Sequence, residues 1–205
     1  MKEQKEKEKN SNYYDRVYST SKVYIKNPEE IDEYFSLWST AADIISKSEY
    51  DSIIDLGCGP GHFAKVILDK NILGRSVSKY FGYDFSSTSL SMAKNLIKNN
   101  NLCIFEEKNL LEYNFSYLKS KKSIYVSFEF LEHIYEDLSI IRKIPVGSDI
   151  CFSVPSFDAI GHVRYFNTSN DVINRYSELI NINNLIEINF HNGKNKVFLF
   201  EGIRI

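Results

Sequence analysis

The 205-residue sequence predicts an α/β domain with a mostly parallel seven-stranded sheet, one reversed strand near its edge and helices on both faces. Three observations predict it. From about residue 50, short apolar runs alternate with stretches of helical periodicity. A glycine-rich turn, Gly57 to Gly61, joins the first run directly to the next helix. The last two runs flank Asn192–Gly193, a tight-turn signal that makes those two strands antiparallel to each other.

Taken in order, residues 1–12 alternate Lys and Glu with almost no apolar residue and read as a disordered charged tail. Residues 13–48 read as an N-terminal lid or helical segment. Its first part carries Tyr13, Tyr14, Tyr18 and Tyr24, too aromatic for a free linker and suited either to close over a pocket or to cover a bare helix face. Pro28, followed by Glu29 and Glu30, opens a helix that shows Ile31, Phe35, Leu37, Trp38, Ala41, Ile44 and Ile45 at helical spacing. The main domain spans 49–205. Its strands are expected at 52–56, 80–83, 102–106, 124–128, 150–154, 185–190 and 197–205. Its helices are expected at 62–70, 87–98, 131–142 and 169–179.

Composition bounds the function. Lys and Arg total 25 against 27 Asp and Glu, a formal net charge of −2, so no electrostatic footprint for a nucleic-acid backbone is expected. The Lys119–Lys122 cluster falls in an expected loop. The N-terminus has no apolar stretch of a secretory signal, and no run approaches the ~20 apolar residues of a membrane span. Cys58, Cys103 and Cys151 form no CxxC pair, and an odd count argues against a disulfide framework. A cytoplasmic protein of unspecified oligomeric state is expected.

Asp55–Leu56–Gly57–Cys58–Gly59–Pro60–Gly61 lies where a doubly wound sheet binds ligands, at the carboxyl end of its first strand. The spacing is G-x-G-x-G rather than the dinucleotide G-x-G-x-x-G, which leaves less room for a pyrophosphate. Asp55 at the entrance would repel a pyrophosphate and suit an ammonium group. Asp84 ends the second strand, where a carboxylate can accept both ribose hydroxyls, and Phe85 beside it offers a flat face for a base. Against this stands a plain alternative: the glycines make a tight turn and Asp84 caps the helix at Ser86–Ser87.

IIDLGCGPGHFA (53–64) closely resembles the first motif of class I methyltransferases, and GYDFS (82–86) resembles their acidic post-motif. The resemblance runs from about residue 50 to the end. It implies a Rossmann-like fold and S-adenosyl-L-methionine as co-substrate. It implies that the Gly57, Cys58, Gly59, Gly61 turn meets the methionine moiety with Asp55, that Asp84 binds the ribose, and that Phe85, Leu110 and Phe128 line the same site. Asn109 stands where the family usually places an Asp beside the adenine; its amide carbonyl can take the same hydrogen bond.

After the fourth strand come Glu129, Glu132 and His133 at i, i+3 and i+4, which on a helix project from one face. Two carboxylates and an imidazole can hold a divalent ion such as Mg²⁺ or Mn²⁺. His162, in the loop after the fifth strand, can complete the set. The Glu-x-x-Glu-His pattern resembles the metal-binding motif of ubiquinone-pathway O-methyltransferases and of small-RNA 2′-O-methyltransferases. Two alternatives stay open: His133 or His162 acts as a catalytic general base, or Glu-His simply starts a helix beside the pocket. His62 and His191 are expected to be structural or surface residues, and Arg164 to pair with an acid or with an anionic substrate.

The function expected is O-methylation of a small hydroxylated acceptor, a sugar or surface-glycan precursor among them. The competing functions are RNA 2′-O-methylation, which needs a basic groove, and a non-catalytic nucleoside-binding protein.

Overall fold

The computed structural model describes residues 8–98, 100–115 and 122–205. Most of the charged tail, residues 1–7, and all but the last residue of Lys119–Lys122 lie outside the described residues. The elements are α1 (Ser11–Thr20), α2 (Asp32–Ile45), β1 (Tyr50–Leu56), α3 (His62–Asp69), β2 (Val77–Asp84), α4 (Ser87–Leu96), β3 (Cys103–Glu107), β4 (Ser123–Ser127), α5 (Asp137–Lys143), β5 (Asp149–Pro155), α6 (Ser169–Tyr176), β6 (Ile180–Phe190) and β7 (Asn195–Arg204).

The strands form one sheet in the order β3-β2-β1-β4-β5-β7-β6. β7 alone runs antiparallel, to β5 on one side and to β6 on the other. This is the seven-stranded, mostly parallel sheet that the pattern predicts, with the reversed strand next to the edge. Chain order reverses between β1 and β4, so a crevice opens there at the carboxyl ends of the strands.

Both sheet faces are covered, which is why the strands read as continuous apolar runs. Alternate residues serve opposite faces. Ile53, Val126 and Leu199 pack with Leu37, Ala41, Phe63 and Ile67 of α2 and α3. Ile54, Tyr125 and Phe200 pack with Ile140, Ile141 and Tyr176 of α5 and α6. Ile53 and Ile54 are both fully buried, and truncating either to Ala should cost about 2–5 kcal/mol.

Four elements differ most from expectation. The helix expected to open at Pro28 is split: Pro28–Glu30 is a 3₁₀ turn, Ile31 is non-helical (φ −118°, ψ 69°), and α2 starts at Asp32. α1 is a helix where the sequence predicted only an aromatic segment, and it takes in Ser11 and Asn12 of the expected tail. Asn10 caps it by accepting the Tyr13 N–H. β6 begins five residues early because Asn181, Asn183 and Asn184 hide its period, and a register shift at Ile182/Asn184 breaks it further. The helix expected at 131–142 is broken. Only Leu131–His133 forms a 3₁₀ turn, and α5 starts at Asp137. The chain turns extended at Ile134 (φ −120°, ψ 126°), which ends the turn, and the carbonyls of Leu131, Ile134 and Tyr135 around the break accept from the Arg164 guanidinium. Among the described residues, no helix is long and apolar enough to cross a membrane.

Candidate active site

A cavity of about 520 Å³ opens at the switch point between β1 and β4. Its floor comes from the loops after β1, β2, β3 and β4, and its roof from α1 and the segment leading into α2. Asp55, Gly57, Cys58, Gly59, Asp84, Phe85, Asn109, Leu110, Phe128, Glu129, His133 and His162 all line it. Gly61 and Glu132 do not.

The three glycines have different tasks. All adopt positive φ, which favours glycine. A Cβ on Gly57 would lie 2.3 Å from the Phe130 ring, and one on Gly61 2.8 Å from the Ala93 Cβ. Gly61 therefore lets α3 pack on α4. Only Gly59 faces the roof, where a Cβ would stand 3.3 Å from the Tyr18 hydroxyl.

Asp84 is tied to this loop. Its Oδ2 accepts the Gly59 N–H and its Oδ1 the Ser86 N–H, each at 2.9 Å. Burial nevertheless pushes its carboxyl up to about 6. The capping alternative falls to Ser86 instead, whose hydroxyl accepts the Ser89 N–H. Asp55 is not at an open entrance: it is 2% exposed, accepts the Tyr80 hydroxyl, and burial pushes it up to about 7. Asn109 spends its amide on its own loop, accepting the Leu111 N–H and donating to Glu112.

Beyond the loop lies an acid–imidazole cluster. With the expected helix broken, Glu129 does not share a face with Glu132 and His133. Its φ is +51°, and its carboxylate accepts the Ser153 hydroxyl at 3.3 Å. Glu132, His133 and His162 do converge, with their ligand atoms all within 4.8 Å of one another. His133 Nε2 stands 3.9 Å and His162 Nε2 4.0 Å from Glu132 Oε1. Carbonyl oxygens can only accept, so His133 Nδ1 donates to Gly161 and His162 Nδ1 to Phe157. Both imidazoles, when neutral, thereby present an Nε2 lone pair on the Glu132 side. Glu132 is fully buried, and neither carboxylate oxygen has a hydrogen-bond partner among the described residues. Burial, and next the Glu129 charge, push its carboxyl well above the usual range. Burial, with His162 adding, depresses His133 to about 4.

Several contributors carry no readable sequence signal. Ser153 and Arg164 act across 24 and about 30 residues. Arg164 also meets the buried Asp137 at 3.3 Å, the acid pairing that the sequence left open. His62 lines the cavity, stacked on Trp38 and bonded through Nε2 to the Lys26 carbonyl. His191, expected to be a structural or surface residue, meets Glu33 at 3.6 Å and packs edge-on against Phe157. Tyr14, Tyr18, Tyr34 and Trp38 also line the cavity; the tyrosine-rich start signalled Tyr14 and Tyr18, Trp38 was read only as one of a helix's spaced apolar residues, and Tyr34 carried no signal.

Residues 47–193 match the methyltransferase domain family, and the chain belongs to it. It is thus an enzyme of the class I S-adenosylmethionine-dependent methyltransferases, as the motif resemblance implies. No curated protein matches the chain in sequence. Among solved structures it is similar to the N-methyltransferase NodS from Bradyrhizobium japonicum WM9 in complex with S-adenosyl-L-homocysteine. That likeness has a TM-score of 0.69 at 14% identity and covers 95% of this chain and 97% of NodS. A Haloferax volcanii protein in complex with the Trm112 methyltransferase activator gives a TM-score of 0.67 at 13% identity, covering 84% and 90%. The small RNA methyltransferase HEN1 gives 0.65 at 17% identity, over 82% of this chain and 25% of that one. These likenesses show a shared fold.

Proposed function

We propose that the enzyme transfers the methyl group of S-adenosyl-L-methionine to the hydroxyl of a small acceptor, with Glu132, His133 and His162 holding a divalent ion beside the acceptor. One observation carries this reading: two imidazoles, each fixed by a backbone carbonyl through Nδ1, converge on a buried carboxylate that has no hydrogen-bond partner among the described residues. Such fixing of the second nitrogen is how metal-binding histidines are oriented. Donor atoms sharing one ion stand up to roughly 4 Å apart, twice a ~2.1 Å bond; the two His–Glu132 distances of 3.9 and 4.0 Å reach that limit, and the whole set, within 4.8 Å, would draw in slightly around an ion. Those distances are too long for direct hydrogen bonds. Glu129, held by Ser153, flanks the three as a cavity-lining acid.

The donor lies over Gly59, whose missing side chain leaves room for it, with Asp84 accepting its ribose hydroxyls. Phe85 and Leu110 offer apolar surface to the adenine, Asn109 shapes their loop, and Phe128 closes the far side. Asp55 faces the methionine end from below. The ion, when bound, lowers the pKa of the acceptor hydroxyl. The acceptor gives up its proton to water, its oxygen bonds to the donor's methyl carbon, and the carbon–sulfur bond breaks to leave S-adenosylhomocysteine. His133 alone is a poor general base: its depressed pKa of about 4 lies far from neutral working pH.

The test is methyl transfer into fractionated metabolite pools, followed as a mass gain of one methyl. Chelation with EDTA should abolish it, and Mg²⁺ or Mn²⁺ should restore it. Full activity after exhaustive chelation, with no metal by elemental analysis, would refute the ion. A salt-sensitive RNA gel shift would favour a nucleic-acid acceptor instead.

A further inference from the structure

The Tyr14 hydroxyl is buried and has no hydrogen-bond partner among the described residues. Leaving a buried hydroxyl unpaired is destabilising, so its place in the fold calls for a cause. The ring is held from several sides. It packs 5.6 Å from Phe85 on the donor side and edge-on to His133 at 5.8 Å on the cluster side. Its helix is pinned in turn. Asp15 accepts from the Ser86 hydroxyl at 2.6 Å and from the Thr88 N–H at 3.2 Å, and Glu8 accepts the Tyr135 N–H at 3.0 Å. Gly161 makes room for the oxygen: a Cβ there would lie 3.3 Å from the Tyr14 hydroxyl and 3.2 Å from His133 Nδ1. The hydroxyl therefore stands at the junction between the donor pocket and the Glu132–His133–His162 cluster, on a helix outside the matched domain.

The neighbouring surface indicates what reaches that junction. Tyr24, Ile31, Tyr34 and Trp38 form an aromatic and aliphatic wall, and Tyr34 and Trp38 stack 5.6 Å apart. Among the described residues the cavity's two lysines each lie over a ring, Lys9 over Tyr13 and Lys108 over Tyr113 with Glu106 at 3.5 Å. Tyr24, Ile31, Tyr34 and Trp38 themselves present no cation to an anionic acceptor.

We propose that Tyr14 is an acceptor-contacting residue: its hydroxyl hydrogen-bonds the reacting hydroxyl of an uncharged acceptor whose apolar side lies against the Tyr24, Ile31, Tyr34 and Trp38 wall, where Trp38 is itself stacked on Tyr34 and His62. This rests on the O-methylation reading above and narrows its acceptor class to uncharged hydroxylated compounds with an apolar side, of which catechol is a simple example. It makes no demand on the donor, which lies on the other side of Phe85.

Tyr14→Phe removes one oxygen and keeps the ring. Three measurements on wild type and variant decide the matter, with catechol as the probe acceptor. Thermal unfolding of the free protein should be unchanged or slightly raised, since the hydroxyl bonds nothing; a clear fall in Tm would make it a structural group and overturn the proposal. Calorimetry with S-adenosylhomocysteine should give affinities within about twofold; a tenfold loss would make Tyr14 a donor ligand and overturn it too. Catechol should bind the S-adenosylhomocysteine complex in Mg²⁺, and Tyr14→Phe should weaken it fivefold or more, a typical single hydrogen bond. Equal catechol binding by both proteins, or none by wild type, overturns the proposal. His162→Ala and EDTA separate it from the ion reading. If they leave catechol binding intact while Tyr14→Phe still weakens it, the ion falls and Tyr14 stands. If they abolish binding while Tyr14→Phe does nothing, the reverse holds.

Discussion

Glu132→Gln distinguishes an ion site from a buried acid cluster while nearly preserving the shape of the side chain. In the free protein Glu132 is fully buried with both oxygens unpaired, and burial raises its pKa. A neutral amide lacks that burden, so in EDTA the variant should be at least as stable as wild type. An ion that binds only the folded chain stabilises it by about 2.7 kcal/mol at a hundredfold excess over Kd. For a chain of this size each kcal/mol moves Tm by roughly 2–4 °C, so saturating Mg²⁺ or Mn²⁺ should raise wild-type Tm by roughly 5–11 °C. Without its charged ligand the variant's rise should shrink to roughly 2 °C or less. The assay is scanning calorimetry of chelator-stripped protein across a metal titration, and it needs no acceptor. Equal rises in both proteins would place any ion elsewhere. No rise in wild type at millimolar metal would end the metal reading.

Three further outcomes follow from the donor side. Asp84→Ala should weaken S-adenosylmethionine binding by about 1.5–3 kcal/mol, roughly 10–150-fold, as read by calorimetry; unchanged affinity in a folded variant would remove the ribose assignment. Burial raises Asp84 to about 6 and Asp55 to about 7. A donor that prefers both carboxylates ionised should therefore bind progressively more weakly as pH falls below about 7, and flat affinity from pH 5 to 8 would contradict this. The sign for the free protein is opposite: carboxyls raised on folding hold extra protons, so their contribution to stability falls as pH rises from about 4 through those values. Gly57→Ala should cost stability, because φ is +76° and the new Cβ meets the Phe130 ring, whereas Gly59→Val should spare the fold more and abolish donor binding; similar Tm losses in both would show that the two glycines are not specialised.

The sheet and the glycine loop are legible in the sequence because their signals are local. Ile53 and Ile54 mark a strand buried on both faces, and Gly57–Gly61 cannot be mistaken for a helix start without its glycines. The cluster is legible only in part. Glu132, His133 and His162 are brought together, but Leu131, Ile134, Leu138 and Ile141 imitate a continuous helix, whereas the chain is extended at Ile134 and its carbonyls there bond Arg164, some 30 residues away. Glu129 was placed with them by that imitation. α1 is the least legible element. Ser11, Asn12, Ser19 and Thr20 are weak helix formers, none of its residues is fully buried, and its anchors on Ser86 and Thr88 are 71 and 73 positions distant.

The roof over the cavity comes from residues 8–34, which contribute no strand to the sheet and precede the matched domain. On the reading proposed above, part of the acceptor chamber is thereby written outside the stretch that builds the sheet. Chimeras joined after α2 would exchange that wall, Tyr34 and Trp38 included, and leave strand register untouched.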